Sequence, residues 1–468
     1  HRSIHSYLIY IYSIPFYVTI VYTSVVVRDE PKSYPPPDGM VSFWRSSPGV
    51  LDNHRSTVSI TFGVECDIII IGAGYSGASL VTHMLSVPES RDKSIVVLED
   101  LELCPGATGR NWGHLKPDVY NLCSGMATKH EIDVAAEIVE FELANLEALQ
   151  DYVIDNNVDC DFIMNQTVDV QLSEEHNSSL KRGFDDLASA GVSGIKGANG
   201  AFKYTTGHLW PYKLIHHMFS RTLSHEHLNL QTNTPVTNIS YSPHPTGKWI
   251  VTTSRGSVRG QKVIISTNAY TALLPEYHEK IIPYRAICIR IVVPTPPMLA
   301  DSYSLRSNLQ DFDYLTPQPD GSIIVGGARS AYFRHTEDCY GSVDDTNLID
   351  RAKDYFDEYM QKTLSWLGNS GAYTAQIWTG SECTMFQTIS VLICRNKAWA
   401  TLQTHFRMLG MSLGGKTFSS WVVSQDTVFL KSPLAGKAIS RMVLQDIAYS
   451  DTEFPQLFEE TALRLENG

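Results

Sequence analysis

The sequence predicts an α/β protein: a parallel-sheet unit that opens on a strand, a glycine turn and a helix, in a chain long enough to hold a second, interleaved unit. Cys66-Asp67 followed by Ile68 to Ile71 is short, apolar and β-branched, as a parallel strand covered on both faces must be. It runs straight into Gly72-Ala73-Gly74-Tyr75-Ser76-Gly77, and Ala78 to Leu85 then carries helical periodicity. At 468 residues, with 43% hydrophobic and 19% charged positions, the chain can bury a large core and divide in two.

Ahead of that strand, Tyr7 to Val27 carries no charged residue and is long enough to cross a bilayer, although Pro15 interrupts it and Tyr and Ser are frequent. It reads either as a membrane anchor or as translation from upstream of a true start at Met40, so residues 1–41 are set apart from the folded body. Phe43 to Thr57 is a polar, proline-containing lead-in.

Each glycine of the turn has a task. Gly72 permits the tight turn, Gly74 lets backbone approach a pyrophosphate, and Gly77 lets the helix lie close to the strand; Tyr75 and Ser76 stand between them. The phosphates would rest on the helix N-terminus. Ile95 to Leu98 is a second strand, and Glu99, 22 residues past Gly77, ends it where a carboxylate accepts ribose hydroxyls. Strand, glycines, helix and acid together predict a bound dinucleotide.

The formal charge of −13, with no basic run longer than Lys181-Arg182, argues against a nucleic-acid partner. Eight cysteines lie far apart with no Cys-x-x-Cys pair, which predicts reduced thiols, no metal site and a cytoplasmic protein; the alternative is membrane anchoring through residues 7–27.

The choice of dinucleotide rests on Cys104-Pro-Gly-Ala-Thr-Gly-Arg-Asn-Trp-Gly-His-Leu-Lys-Pro-Asp118. This segment resembles the GATGRNGGHLKP segment of the D-amino acid oxidase/glycine oxidase-like family of FAD-dependent oxidoreductases, including its gamma-glutamylputrescine oxidase-like branch. Leu209-Trp-Pro-Tyr-Lys-Leu214, Thr234-Pro-Val236, Lys262 to Tyr270, Ile282 to Ala286, Tyr314 to Thr316 and Ile323 to Arg329 continue the likeness, from about Ser42 to Gly380. The resemblance implies a Rossmann-like FAD-binding domain from residues 42–120, 207–280 and 378–462. Interleaved with it would be a smaller α+β substrate domain on an antiparallel or mixed sheet, from residues 121–206 and 281–377.

It also implies FAD contacts at Thr108, Gly109, Arg110, Asn111 and Gly113, at Val236 beside the adenine and at Thr267 in the returning turn. His114 would stand near the flavin ring, and Gly326 and Gly327 at a close backbone approach. Tyr284 and Tyr314 could orient substrate, and Arg285, Arg290 or Arg329 could meet a substrate carboxylate, so His114, Arg329 and Tyr314 are the catalytic candidates. Trp112 departs from the pattern, an indole where the family has glycine. The implied reaction is oxidation of a carbon–nitrogen bond of an amine or amino acid by hydride transfer to flavin, with molecular oxygen as acceptor and hydrogen peroxide as product.

Two amphipathic acidic stretches, Ile132 to Ile154 and Asp344 to Trp366, read as scaffold helices. After Trp378-Thr379-Gly380 the family pattern stops. Val422 to Leu430, written in suitable codons and read from the third base, gives Gly-Phe-Thr-Gly-His-Gly-Val-Pro, the family's closing flavin motif, and the same shift recovers further pieces upstream. Ser381-Glu382-Cys383 can be written with the intron start GTGAGT. These observations predict that Ser381 to Asn396 is retained intron and that Ala398 to Leu430 is out of frame, with the frame regained near Lys431. The alternative function is thus a catalytically inactive product unable to complete its flavin site.

Overall fold

The computed structural model describes residues 7–14, 17–24, 34–57, 64–120, 132–189, 195–198, 200–242, 247–278, 281–295, 299–308, 311–332, 334–364, 370–384, 391–395, 417–421 and 428–455. Tyr7–Ile14 (β1) and Tyr17–Ser24 (β2) pair as an antiparallel hairpin. The apolar run is therefore two strands instead of one span, in keeping with its Tyr, Ile, Val and Thr content. Among the described residues, no helix is long and apolar enough to cross a membrane.

The second sheet is built around Val64–Ile71 (β3) and Ile95–Leu98 (β4), which are parallel and register Ile68 to Ile71 on Ile95 to Leu98. All eight of those residues are buried, as the unbroken apolar runs require. Leu228–Gln231 (β9) lies parallel to β4, and Gly256–Ile265 (β12) parallel to β3. Val236–Ser242 (β10) and Lys248–Thr253 (β11) continue from β12 as an antiparallel meander, giving the order β10-β11-β12-β3-β4-β9. Val391–Arg395 (β18) pairs with β12 at residues 263–265, and Thr417–Trp421 (β19) pairs with β18. The helix Tyr75–Ser86 follows β3 through the glycine turn and packs against the helices Pro211–Thr222 and Val428–Gln445. The expected helix after residue 132 spans Ile132–Asp155 and rests on Val428–Gln445.

The third sheet contains His114–Leu115 (β5), Ile163–Gln171 (β6), Ile195–Ala198 (β7), Ala201–His208 (β8), Ile282–Val292 (β13), Ser302–Arg306 (β14), Phe312–Pro317 (β15), Ile323–Gly326 (β16) and Tyr373–Thr384 (β17). Its order is β17-β13-β16-β15-β14-β6-β8-β5, with β7 on β8, and every pair is antiparallel except β14 on β6. One face is apolar: Ile287, Ile289, Ile291, Leu315, Ile323 and Val325 form a core with Phe356, Tyr359 and Met360. The opposite face is polar and equally buried, carrying Thr167 and Asp169 on β6, Ser302, Ser304 and Arg306 on β14, and Tyr204, Thr206 and His208 on β8.

The helix expected over Asp344 to Trp366 does not form. Asp344 Oδ1 accepts from Thr346 N at 2.9 Å and from Thr346 Oγ1 at 2.6 Å, a local turn that competes with helix, and Glu358 adopts a left-handed φ of 52°. What remains is a 3-10 turn at Asp350–Ala352 and the short helix Tyr359–Thr363. Of Ser381 to Asn396 and Ala398 to Leu430, the described parts are the end of β17, the strands β18 and β19 and the start of the helix Val428–Gln445; the rest lies outside the described residues.

Candidate functional site

The ends of the parallel strands hold the first half of the site. Gly72 has a φ of +107°, and a Cβ there would come within 2.5 Å of the Ser266 carbonyl oxygen, so a side chain is excluded on both counts. A Cβ on Gly77 would stand 2.1 Å from the Gly72 carbonyl oxygen, which is how closely the helix is laid on the turn. Gly74 and Ser76 stay half-open, and no side chain caps the helix at Gly74. Thr108 Oγ1 accepts from Tyr75 N at 3.1 Å, bringing the Cys104–His114 loop over the turn.

Glu99 ends β4 buried, with Oε2 accepting from Ala73 N at 2.7 Å and Oε1 reached by Leu101 N at 3.4 Å. Burial pushes its carboxyl up to about 7, against the pull of the Ala73 amide. Thr234 N donates to Glu99 O at 2.8 Å, which sets Thr234 and the start of β10 at Val236 beside the acid. Thr267 follows β12 at the head of a 3-10 turn, bonded through Oγ1 to Thr271 Oγ1 at 3.0 Å. Gly72, Glu99, Val236 and Thr267 therefore gather at one edge of the parallel strands, the edge at which open α/β sheets take ligands.

The Cys104–His114 loop carries the site from this edge to the polar face of the third sheet. Arg110 is buried, donates Nε to Pro105 O at 2.8 Å and pairs with Asp345 at 2.5 Å. Its guanidinium ties the loop to Asp345 and is no free anion receptor. Asn111 Oδ1 accepts from Gly113 N at 2.8 Å, and a Cβ on Gly113 would meet Leu209 O at 2.4 Å. His114 opens β5 fully enclosed: Nε2 lies 3.0 Å from Thr167 Oγ1 and 2.9 Å from Ser302 Oγ, while Nδ1 is buried without a partner. Burial, reinforced by the Lys116 cation, holds its pKa well below the ordinary imidazole value, so the ring is neutral.

Trp112 lies edge-on to Tyr314 with ring centroids 3.4 Å apart, and 5.9 Å from the His114 ring. Tyr314 OH stands 3.2 Å from Cys288 Sγ and occupies the space a Cβ on Gly326 would need. A Cβ on Gly327 would lie 2.5 Å from Phe312 O, a close backbone approach, whereas at Gly326 the crowding comes from the Tyr314 side chain. His114 and Tyr314 are thus brought together around Trp112. Arg329 stands apart, its guanidinium 5.5 Å from the Tyr284 ring and 5.4 Å from the Phe312 ring. Arg290 pairs with Asp320 at 2.7 Å, and Arg285 Nη2 donates to Asn347 O.

Sequence reasoning missed the network beside His114. Asp169 Oδ2 accepts from Lys116 Nζ at 2.9 Å, Tyr120 OH at 2.6 Å, Tyr204 OH at 3.2 Å and Arg306 Nε at 3.2 Å, all of them buried. Burial opposes charge on Asp169, yet the Lys116 and Arg306 cations hold its carboxyl below the ordinary value. The available signal was the alternation of Thr167, Asp169 and Gln171 on one side of a strand.

These residues fit a flavin dinucleotide. A side-chain-free turn lies at an uncapped helix start, a buried acid stands ready for ribose hydroxyls, and the loop leads to an enclosed polar face with an orphaned imidazole nitrogen. Residues 67–401 match the family model described as FAD dependent oxidoreductase. The chain is 22% identical over 294 residues to the probable oxidoreductase OrdL of Haemophilus influenzae, a match covering 57% of this chain and 66% of that protein, just under two thirds of the relative's length. In fold it is similar to glycine oxidase from Geobacillus kaustophilus, with a TM-score of 0.60, 13% identity and coverage of 85% of this chain and 99% of that one. It is similar also to L-proline dehydrogenase from P. horikoshii, with a TM-score of 0.60, 14% identity and coverage of 87% and 99%. At such identities the likeness speaks for fold alone, whereas the family match spans well over half the chain: this protein belongs to the FAD dependent oxidoreductase family.

Proposed function

We propose that the chain oxidises the carbon–nitrogen bond of a small amine or amino acid, with molecular oxygen as the final acceptor and hydrogen peroxide as product. The observation that carries this reading is the course of one loop. Thr108 touches the glycine turn while His114, ten residues after Cys104, lies on the enclosed polar face beside Trp112 and Tyr314. Bound FAD supplies the electron-accepting chemistry. On this reading Gly72, Gly74, Gly77, Tyr75, Ser76, Thr108 and Gly109 serve its pyrophosphate, Glu99 and Val236 its ribose and adenine, and Asn111, Gly113 and Thr267 the approach to its ring.

A neutral His114, with Nε2 held between two hydroxyls, offers Nδ1 to the substrate nitrogen and orients it without adding charge. The touching rings of Tyr314 and Trp112 beside it would shield that nitrogen from water. On this reading Arg329 is the guanidinium that meets a substrate carboxylate, one aromatic layer away from Tyr314 across Phe312. Residues 42–120, 207–280 and 378–462 form the FAD-binding domain in this scheme, and 121–206 with 281–377 the substrate domain. Buried thiols at Cys66, Cys104, Cys160, Cys288 and Cys339 support a reducing, cytoplasmic setting.

Mixing the flavin-loaded protein anaerobically with a panel of amines and amino acids tests the proposal. The expected result is loss of flavin colour with at least one of them, and in air one hydrogen peroxide for each amine consumed. Flavin that stays oxidised with every amine and amino acid would remove the reading.

A further inference from the structure

Three consecutive carbonyls of the loop, those of Gly109, Arg110 and Asn111, are each held by a side-chain donor from a different part of the chain. Ser42 Oγ donates to Gly109 O, Trp378 Nε1 to Arg110 O at 2.8 Å, and Trp44 Nε1 to Asn111 O. Ser42, Trp44 and Trp378 are all buried, and the Trp44 ring lies where a Cβ on Gly113 would come within 2.9 Å of it. Trp44 is itself fixed, its carbonyl accepting from Trp210 Nε1 at 2.6 Å and its ring lying edge-on to Trp210 at 5.6 Å.

A trans peptide points its C=O and the following N–H in opposite directions. Pinning Arg110 O to one indole therefore turns the Asn111 N–H away from Trp378, and pinning Asn111 O turns the Trp112 N–H away from Trp44. Neither N–H has a hydrogen-bond partner among the described residues, whereas the Arg110 N–H closes locally on Ala107 O at 3.2 Å. The two open amides belong to the His114 end of the loop, where the Trp112 ring touches Tyr314 and His114, and not to the Thr108 end that meets the glycine turn. Successive amides whose orientation is fixed in advance make an acceptor site that costs no reorganisation when filled.

We propose that Ser42, Trp44 and Trp378 are positioning residues that lock this loop so that the amides of Asn111 and Trp112 receive the electronegative edge of the flavin ring. This rests on the reading of the site as an FAD site and adds who aims it. The donors come from the segment before β3 and from β17 at the edge of the third sheet, so the cradle is complete only when both are docked on the loop. Two N–H donors at a ring edge that gains negative charge on reduction also favour the reduced cofactor.

Titrating the full apoprotein with FAD, followed by protein and flavin fluorescence, and measuring the midpoint potential of the bound flavin tests this in Trp44→Phe, Trp378→Phe, Ser42→Ala and Ser42→Thr. Losing one donor to a buried carbonyl raises the Kd for FAD about tenfold and makes the midpoint potential more negative, with Ser42→Thr, which keeps its hydroxyl, near the wild type. The melting temperature of each apoprotein monitors packing: an unchanged Kd, potential and flavin spectrum in variants that remain folded overturns the proposal, as does an equal loss in Ser42→Ala and Ser42→Thr. A wild-type chain that takes up no FAD overturns the cofactor reading itself, and this inference with it. A wild type that binds while all variants bind equally overturns this inference alone.

Discussion

Glu99 is the residue at which sequence and physical chemistry meet most tightly, because its position ends a strand and its burial sets its charge. A carboxyl whose folded pKa stands near 7 against an ordinary 4.5 stabilises the free fold fully below the ordinary value and loses that contribution as pH rises through about 7. Ribose hydroxyls need the carboxylate as acceptor, so FAD affinity moves the opposite way. Binding should tighten from about pH 6 to about pH 8 and then level off, and Glu99→Gln should bind more weakly above about pH 7 with a flattened profile. Fluorescence titrations across that range check it. Gly72 and Gly77 were legible in the sequence because the backbone leaves no other residue type room there: Gly72 is excluded from bearing a Cβ by Ser266, and Gly77 by Gly72 itself. His114 was legible only as a neighbour of the ring, since its hydroxyl partners Thr167 and Ser302 lie 53 and 188 residues away.

At the scale of the element, β6 and β14 explain what the sequence concealed. In β6 the buried positions are Thr167, Asp169 and Gln171 while Val168 and Val170 are only half-buried, and in β14 Ser302, Ser304 and Arg306 are buried more deeply than Tyr303 and Leu305. A two-residue alternation reveals that a strand has two faces but not which face is the more deeply buried. Here the polar face is, and a buried polar face is a place where function overrides the usual sorting. Asp169 is the keystone of that face. Asp169→Asn leaves Lys116 and Arg306 buried without their counter-ion and should cost about 3–5 kcal/mol at neutral pH. Because the folded Asp169 carboxyl is held below the ordinary 3.8, its contribution is present above that value and is lost as pH falls through its depressed pKa, so the gap between wild type and variant should shrink in strong acid. Denaturant unfolding at neutral and acidic pH measures both. The closing helix has a matching device: Lys431 Nζ meets Glu142 Oε1 at 2.7 Å with both side chains almost fully buried, and a Cβ on Gly436 would stand 2.1 Å from Ser79 Oγ. Lys431→Met should cost about 3–5 kcal/mol and detach Val428–Gln445 from Ile132–Asp155.

For the whole molecule, the parallel sheet was readable from a few unbroken apolar runs, whereas the nine-stranded sheet needed partners far apart in sequence. Its polar face acquires meaning only when the Cys104–His114 loop is laid against it. The expected helix over Asp344 to Trp366 failed for a related reason: its apolar residues Phe356, Tyr359 and Met360 pack on the sheet, but Asp344 and Glu358 close turns that end helix locally. Both sheets serve the proposed site, in which backbone at the glycine turn would hold the dinucleotide and the enclosed polar face would receive its ring. The most direct measurement is an equilibrium titration of the purified full chain with FAD, set beside Gly77→Val, whose side chain would drive the helix off Gly72. Saturable binding of one FAD per wild-type chain and its loss in the variant are expected; a wild type that does not bind FAD, or a folded variant that binds it equally well, would contradict the proposed site.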